Sequence, residues 1–537
     1  MQDKDIRSER LLSRLKAQLQ VKLKAGLRDE RGATAVFFAV GLVLLAPAAL
    51  GLVDVYLTTT QRAELQDALD TATLYAARSD KMTDAELKTV GEAALVSNLR
   101  LPEGQKLVSS DFKLAADKIT VVGTAQIEAP GVGPKLWDRA DLTANSEVLR
   151  NSNNVEVALV LDTTGSMQNN MANLRSAATD LVTLVIKDQQ KPYYTKIALV
   201  PYSVGVNMGG WADTARGAAI GPTAISGATQ TNPIQITTST EHGLQTNERV
   251  LITGIEGMTA LNNKEFVVTK VDATKFKLNS INGTDAGTYK KYSKGGAAQC
   301  LREGCAQQSF QDTQSVQQRM PVSACATERV GTSAYDGVGP GTAKVGWHYN
   351  RLGATDGSCR SAPIVPLTST KKTLTDQIAA LSDDGSTAGH IGLAWGWYMI
   401  SPDWDTVWTG DSAPAAYNKP QTLKVVVLMT DGAFNTAYCK GVNAKNSGFG
   451  EAKDRIKCDA TNGTAFAQAD KLCKNIKAKG VFIYTVGFNV GNDANVKKLM
   501  NDCATSAEYV YMPANGTQLK VAFRAIAQDI NSLRISK

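Results

Sequence analysis

The chain has 537 residues, too many for one ordinary core and enough for about three domains. Its 43% hydrophobic and 20% charged residues are those of a globular protein and argue against wholesale disorder. The formal charge of +7 is modest for this length, and no basic stripe with interleaved aromatics occurs, which argues against nucleic-acid binding.

In chain order, residues 1–31 come first, with nine Lys or Arg against five acids. Leu12, Leu15, Leu19, Leu23 and Leu27 recur there at helical spacing, with basic residues between them. This reads as a cytoplasmic amphipathic helix on the inner membrane surface, with pairing to a partner helix as the alternative. Residues 33–53, "ATAVFFAVGLVLLAPAALGLV", carry no charge over 21 positions. At about 1.5 Å per residue such a helix spans roughly 30 Å, a bilayer core. A cleaved secretory signal is the rival, since Ala46-Pro47-Ala48 offers a cleavage site. The apolar run continues past that point, which favours an uncleaved anchor. Lys22, Lys24, Arg28 and Arg31 precede the span, and Asp54, Glu64 and Asp67 follow it. The positive-inside rule then puts the N-terminus in the cytoplasm and exports the bulk. Helical periodicity continues to about Ser79, with Pro47 as a potential kink, and residues 106–148 read as a few short strands.

From Val155 apolar strands alternate with helical stretches. "VEVALVLD", "TKIALVPYS", "LKVVVLMTD" and "VFIYTVGF" are strand-like, while "MANLRSAATDLVTLVI" and "AFAQADKLCKNIKAKG" carry helical periodicity. The expected fold class is α/β: a doubly wound, mainly parallel sheet with helices on both faces, preceded by the membrane helix. Residues 231–296 break this pattern with short β-type runs separated by Gly, Asn and Asp turns. They read as a small all-β insert, a barrel or a sandwich. All eight cysteines, Cys300 to Cys503, fall on the exported side. With three histidines and no CxxC pair, disulfides are expected over zinc, with the pairing open.

Oxygen side chains end two of the strands. Asp162, Thr164 and Ser166 leave the first, Asp431 leaves a later one, and "DDGSTAGHIGLAWGW" places Thr387 just before an apolar helix. Ligands of parallel sheets bind at the carboxyl ends of strands. If the three loops converge, two carboxylates and three hydroxyls surround one point, a donor set suited to Mg²⁺. His390 reads as a helix-start residue packed on the sheet, because imidazole is not a preferred magnesium ligand.

"LVLDTTGSM", "GSTAGHIGLAWG" and "LMTDGAFN", in that order, resemble the von Willebrand factor A (vWA) domain, a Rossmann-like fold with a metal-ion-dependent adhesion site (MIDAS). The resemblance implies Ser166, Thr164 and Thr387 as hydroxyl ligands, with Asp162 and Asp431 acting directly or through water. Thr164 stands where serine is more usual. The implied cofactor is Mg²⁺, or Mn²⁺ or Ca²⁺, with one position left for a partner's acidic residue.

The N-terminal "RDERGATAVFFAVGLVLLAPAALGLVDVYLTTTQRAELQDALDTATLYAA" resembles TadG-like proteins of Flp (Tad) pilus assembly, and "EHGLQTNERVLITGIEGM" resembles small barrels of phage-tail and E1-type proteins. Related pilins carry Glu-Phe after the peptidase-site glycine, whereas Phe37 follows Gly32 here where Glu would stand, which favours a permanent anchor. The implied organisation is a basic segment over 1–31, a membrane and pilin-like helix over 32–80, and a β-rich linker region over 81–150. An A domain over 151–230 and 297–537 would then be interrupted by the insert at 231–296. The expected function is a non-enzymatic, inner-membrane-anchored protein with its bulk in the periplasm, binding pilus or secretion components through the metal site. A secreted or surface adhesin is the alternative. No nucleophile elbow, phosphate loop or HExxH motif is present to support an enzyme.

Overall fold

A computed structural model describes residues 30–535 except 80, 82, 116–119, 130–139, 150–152, 192, 281–289 and 352–358. The leucine-spaced basic segment expected at the N-terminus lies outside the described residues. The chain divides into two compact units, Met1–Asn151 and Ser152–Lys537.

In the first unit, helix α1 (Glu30–Arg78) runs 49 residues with Pro47 inside it. Its first half exposes Phe37, Phe38, Leu44, Leu45 and Leu52, a stretch long and apolar enough to cross a membrane. Its second half is amphipathic. Leu65, Leu69, Ala72 and Ala76 are buried with residues of helix α2 (Asp84–Asn98) and of an antiparallel sheet. That sheet has the order β1 (Leu107–Leu114), β2 (Thr120–Ile127), β3 (Leu142–Leu149), with Phe112 fully buried. A helix apolar all round and then on one stripe is compatible first with a membrane anchor or a signal segment, and then with a core.

The second unit opens with β4 (Asn154–Asp162), α3 (Met171–Val185), β5 (Thr195–Tyr202), β6 (Val206–Asn207) and the short α4 (Ala212–Arg216). Strands β7 to β12 follow, at Thr223–Ala228, Gln235–Thr238, Arg249–Glu256, Lys264–Lys270, Lys275–Ser280 and Lys294–Cys300. Next come the hairpin β13 (Gln307–Gln311) and β14 (Gln317–Pro321), then β15 (Cys325–Ala326), β16 (Val365–Thr368), α5 (Lys371–Ala379), α6 (Gly389–Ile400) and β17 (Thr422–Thr430). Strands β18 (Tyr438–Cys439), β19 (Val442–Ala444) and β20 (Arg455–Ile456) precede α7 (Ala465–Ala478), β21 (Phe482–Gly487), α8 (Ala494–Cys503), β22 (Val510–Tyr511) and α9 (Gly516–Ile535).

The large sheet is mixed, in the order β15-β6-β5-β4-β17-β21-β22, with β16 also on β5. Pairing is parallel from β5 to β22, while β6, β15 and β16 are antiparallel. Successive side chains of a strand face opposite ways. Val157, Leu159 and Leu161 therefore share one core with α3 and α9, and Ala158 and Val160 share the other with α6.

The expected doubly wound, mainly parallel α/β class is overturned for the chain as a whole. Strands β7 to β12 close an antiparallel barrel in the order β10-β11-β8-β7-β12-β9, and further small sheets lie on either side in sequence. Among the described residues only seven of 22 strands take part in any parallel pairing, so the protein is β-rich and mixed. The physical reason is connection length. A parallel pair needs a crossover of a dozen or more residues, whereas most links inside the turn-rich detours are shorter. Strand–helix alternation at the two ends of a long stretch says nothing about pairing inside its detours.

The barrel holds its own core of Ile236, Val250, Ile252, Val268, Phe276 and Leu278. All eight cysteines are paired, as Cys300–Cys305, Cys325–Cys359, Cys439–Cys458 and Cys473–Cys503.

Candidate functional site

At the carboxyl end of β4, Asp162 is fully buried and its carboxylate collects hydrogen bonds from two other strands and a turn. The Thr164 amide (3.0 Å) and hydroxyl (2.6 Å) donate to Oδ1. Oδ2 accepts from the Thr430 hydroxyl (2.8 Å) at the end of β17 and from the Tyr202 hydroxyl (3.1 Å) at the end of β5. From Thr164 the chain of contacts continues outward. Thr164 Oγ1 lies 2.9 Å from Ser166 Oγ, which donates to Asp431 Oδ1 at 2.7 Å across 265 residues of sequence. Ser166 is exposed and Asp431 half-buried, so the cluster opens to solvent on that side.

Four of the five side chains singled out from the sequence are thus joined in one network. The loop that carries Thr387 is tied to the same strand ends by backbone bonds of its neighbours. The Asp384 amide donates to the Thr163 carbonyl (2.9 Å), and the Gly165 amide donates to the Gly385 carbonyl (3.0 Å). The Ala388 amide donates to the Ser203 carbonyl at the end of β5 (2.8 Å). Helix α6 begins at the next residue, buried along its whole length. Two glycines let it come this close. A Cβ on Gly392 would lie 2.5 Å from the Tyr202 ring, and one on Gly389 about 2 Å from the Phe434 ring.

Electrostatics sets what the cluster can hold. Burial pushes the Asp162 carboxyl above its ordinary value, against the pull of the Thr164, Thr430 and Tyr202 bonds. Burial and then the nearby Asp162 charge push Asp431 up as well. Neither carboxylate has an ion pair among the described residues, nor do three or more His, Cys, Asp or Glu side chains gather anywhere as a metal cluster. Such a pair needs a proton or a cation. Thr164 Oγ1 and Ser166 Oγ lie 2.9 Å apart and each is within hydrogen-bond distance of a carboxylate, so the set could hold a cation as well as a proton. All donors are hard oxygens with two negative charges, the chemistry of Mg²⁺ or Ca²⁺. His390 is buried away from this set, its Nε2 3.7 Å from Glu328 Oε2.

Sequence reasoning missed Tyr202, Thr430 and Asn435. Thr430 and Tyr202 were visible as polar residues closing apolar strands. Asn435, which accepts from the Thr387 amide at 3.0 Å, had no signal beyond its position four residues after Asp431.

Residues 229–302, coinciding with most of the barrel, match the family model of the ubiquitin-activating enzyme E1 FCCH domain. No curated protein matches the chain. Among solved structures, the neighbours include pilus adhesins and proteins with a von Willebrand factor type A domain. One is the pilus adhesin SpaC from Lactobacillus rhamnosus GG, at TM-score 0.31 and 10% identity, covering 81% of this chain and 36% of that one. This chain therefore spans little more than a third of that SpaC structure. Another is the vWF domain of the type V pili tip protein Mfa5 from Porphyromonas gingivalis, at TM-score 0.33 and 12% identity over 72% of this chain and 97% of that one. A third is the adhesive tip pilin GBS104 from Group B Streptococcus agalactiae, at TM-score 0.30 and 10% identity over 70% and 99%.

Proposed function

We propose that this chain is a TadG-like, membrane-anchored binding component of Flp (Tad) pilus assembly, with a MIDAS-type site that holds a divalent cation and takes an acidic side chain from a partner protein. The observation that carries the reading is the hydrogen-bonded series Asp162, Thr164, Ser166, Asp431, two carboxylates and two hydroxyls with no basic counterpart among the described residues, opening to solvent at Ser166. Asp162, Thr164, Ser166, Thr387 and Asp431 would hold the ion. Bound there, a hard cation supplies a Lewis-acidic centre that attracts a carboxylate.

The chain's own residues do the rest. Tyr202 and Thr430 orient the Asp162 carboxylate, and the buried strand ends keep water to the Ser166 side. Ser166 lies against a carboxylate and not an imidazole, so the arrangement is one of binding and not of acyl transfer. The apolar start of α1 would hold the protein in the inner membrane with its N-terminus cytoplasmic and its bulk in the periplasm.

Titration of the detergent-solubilised full chain with Mn²⁺, read by electron paramagnetic resonance, tests the site. One equivalent bound by the parent, displaced by excess Mg²⁺ and lost in Asp162→Ala, is the expected result. Equal binding by parent and variant overturns it.

A further inference from the structure

Thr387 differs from the other four proposed ligands in how it is held. The rest touch one another through side chains, whereas Thr387 is fixed by Asn435. Its amide donates to Asn435 Oδ1 at 3.0 Å, and its carbonyl accepts from the amides of Asn435 (3.0 Å) and Thr436 (3.4 Å). The Thr436 hydroxyl also faces that Oδ1, at 2.8 Å. With two donors converging there, the oxygen end of the carboxamide belongs on that side.

Asn435 is itself clamped from behind. Its carbonyl accepts from the Gly448 amide at 2.7 Å and from the Ser447 hydroxyl at 3.0 Å. Both donors lie in the loop between β19 and β20, a segment spanned by the Cys439–Cys458 disulfide. Gly448 sits so close that an added Cβ would lie 3.3 Å from Asn435 Cβ. The backbone of Asn435 is thus held from one side while its carboxamide holds the Thr387 loop on the other.

We infer that Asn435 is a positioning residue, which holds the Thr387 loop in register with Asp162, Ser166 and Asp431 and so preorganises the cation site. This deepens the metal reading above and rests on it. A flexible Thr387 loop would have to be ordered by the ion itself, at a cost in affinity. A clamped loop has that ordering done by the fold.

Hydrogen exchange of the Thr387 amide, measured on the metal-free full chain in detergent, reads the clamp directly, and Mn²⁺ titration reads its consequence. Asn435→Leu keeps the size and removes the acceptor. It should speed exchange at Thr387 and weaken Mn²⁺ binding by about tenfold, the worth of one ordinary hydrogen bond. Asn435→Asp keeps the acceptor and should restore the protection, a rescue that a bulk structural role would not require. Ser447→Ala, which removes only one support of Asn435, should give a smaller rise in exchange and keeps the test open if the leucine variant does not fold. Unchanged Thr387 exchange in Asn435→Leu, or in Ser447→Ala if that variant alone folds, overturns the inference even where the parent binds Mn²⁺. Conversely, altered exchange in a chain that binds no Mn²⁺ overturns the metal reading and leaves the clamp standing.

Discussion

Asp162 ends a strand that the sequence marks clearly, and its carboxyl is fully buried. Its carboxyl and that of Asp431 are both raised by burial, and that of Asp431 also by the Asp162 charge. The sign of the consequence follows. Between the ordinary carboxyl value of 3.8 and the raised one, the folded state holds protons the unfolded chain has shed, so these groups lower stability as pH rises through that window. With chelator present, the melting temperature should fall between pH 5 and pH 7.5, and Asp431→Asn should remove part of that fall. Millimolar Mg²⁺ should recover stability at the upper pH, since a ligand of the folded state alone stabilises it. A pH profile identical in parent and Asp431→Asn would contradict the assignment of these two carboxylates. At this scale the sequence showed which residues were polar at strand ends, but not that Thr430 and Tyr202 would aim at Asp162.

Between elements, the feature with most at stake is an ion pair inside the sheet. Glu156 of β4 and Lys424 of β17 lie directly opposite in the parallel register, with side chains 0% and 3% exposed. Lys424 also donates to the Ile400 carbonyl at 2.8 Å, and Glu156 accepts from the Tyr194 hydroxyl and the Ala415 amide, each at 2.9 Å. Removing one partner strands the other in the core, which costs about 3–5 kcal/mol. Lys424→Met should lower the urea midpoint accordingly, and the double variant Glu156→Gln/Lys424→Met should recover much of the loss. A single variant as stable as the parent would show that water reaches the pair. Each residue is a charge near the start of a strand-like run, in "VEVALVLD" and "LKVVVLMTD". Nothing in either segment paired them, because register between strands 268 residues apart is a tertiary fact.

Over the whole molecule, the barrel leaves and rejoins the second unit at one point. The Ile220 amide donates to the Gly304 carbonyl and the Ala306 amide donates back to the Ile220 carbonyl, each at 2.9 Å. The barrel has a core of its own, apart from the two cores that flank the large sheet. Replacing residues 223–300 by a short Gly-Ser linker, with Cys305→Ser to remove the widowed thiol, should leave Mn²⁺ binding within about twofold of the parent, since the site and barrel share no core. Loss of binding in a variant that still melts cooperatively would show that the barrel shapes the site.

Local information settled what is local. The uncharged run at 33–53, the strand character of 155–162 and 422–430, and the turn-rich character of the barrel region follow from side-chain chemistry and from periods of 2 and 3.6 residues, which neighbours in sequence set. The even cysteine count implied pairing without saying which sulfur meets which. Whether strands pair parallel or antiparallel was beyond the reach of such patterns, and there the expected class failed. Contacts that span hundreds of residues depend on loop closure and on two-sided burial, which no short window contains. The meeting of Ser166 with Asp431, the closing of the barrel and the hold of Asn435 on Thr387 were therefore decided only when the chain packed.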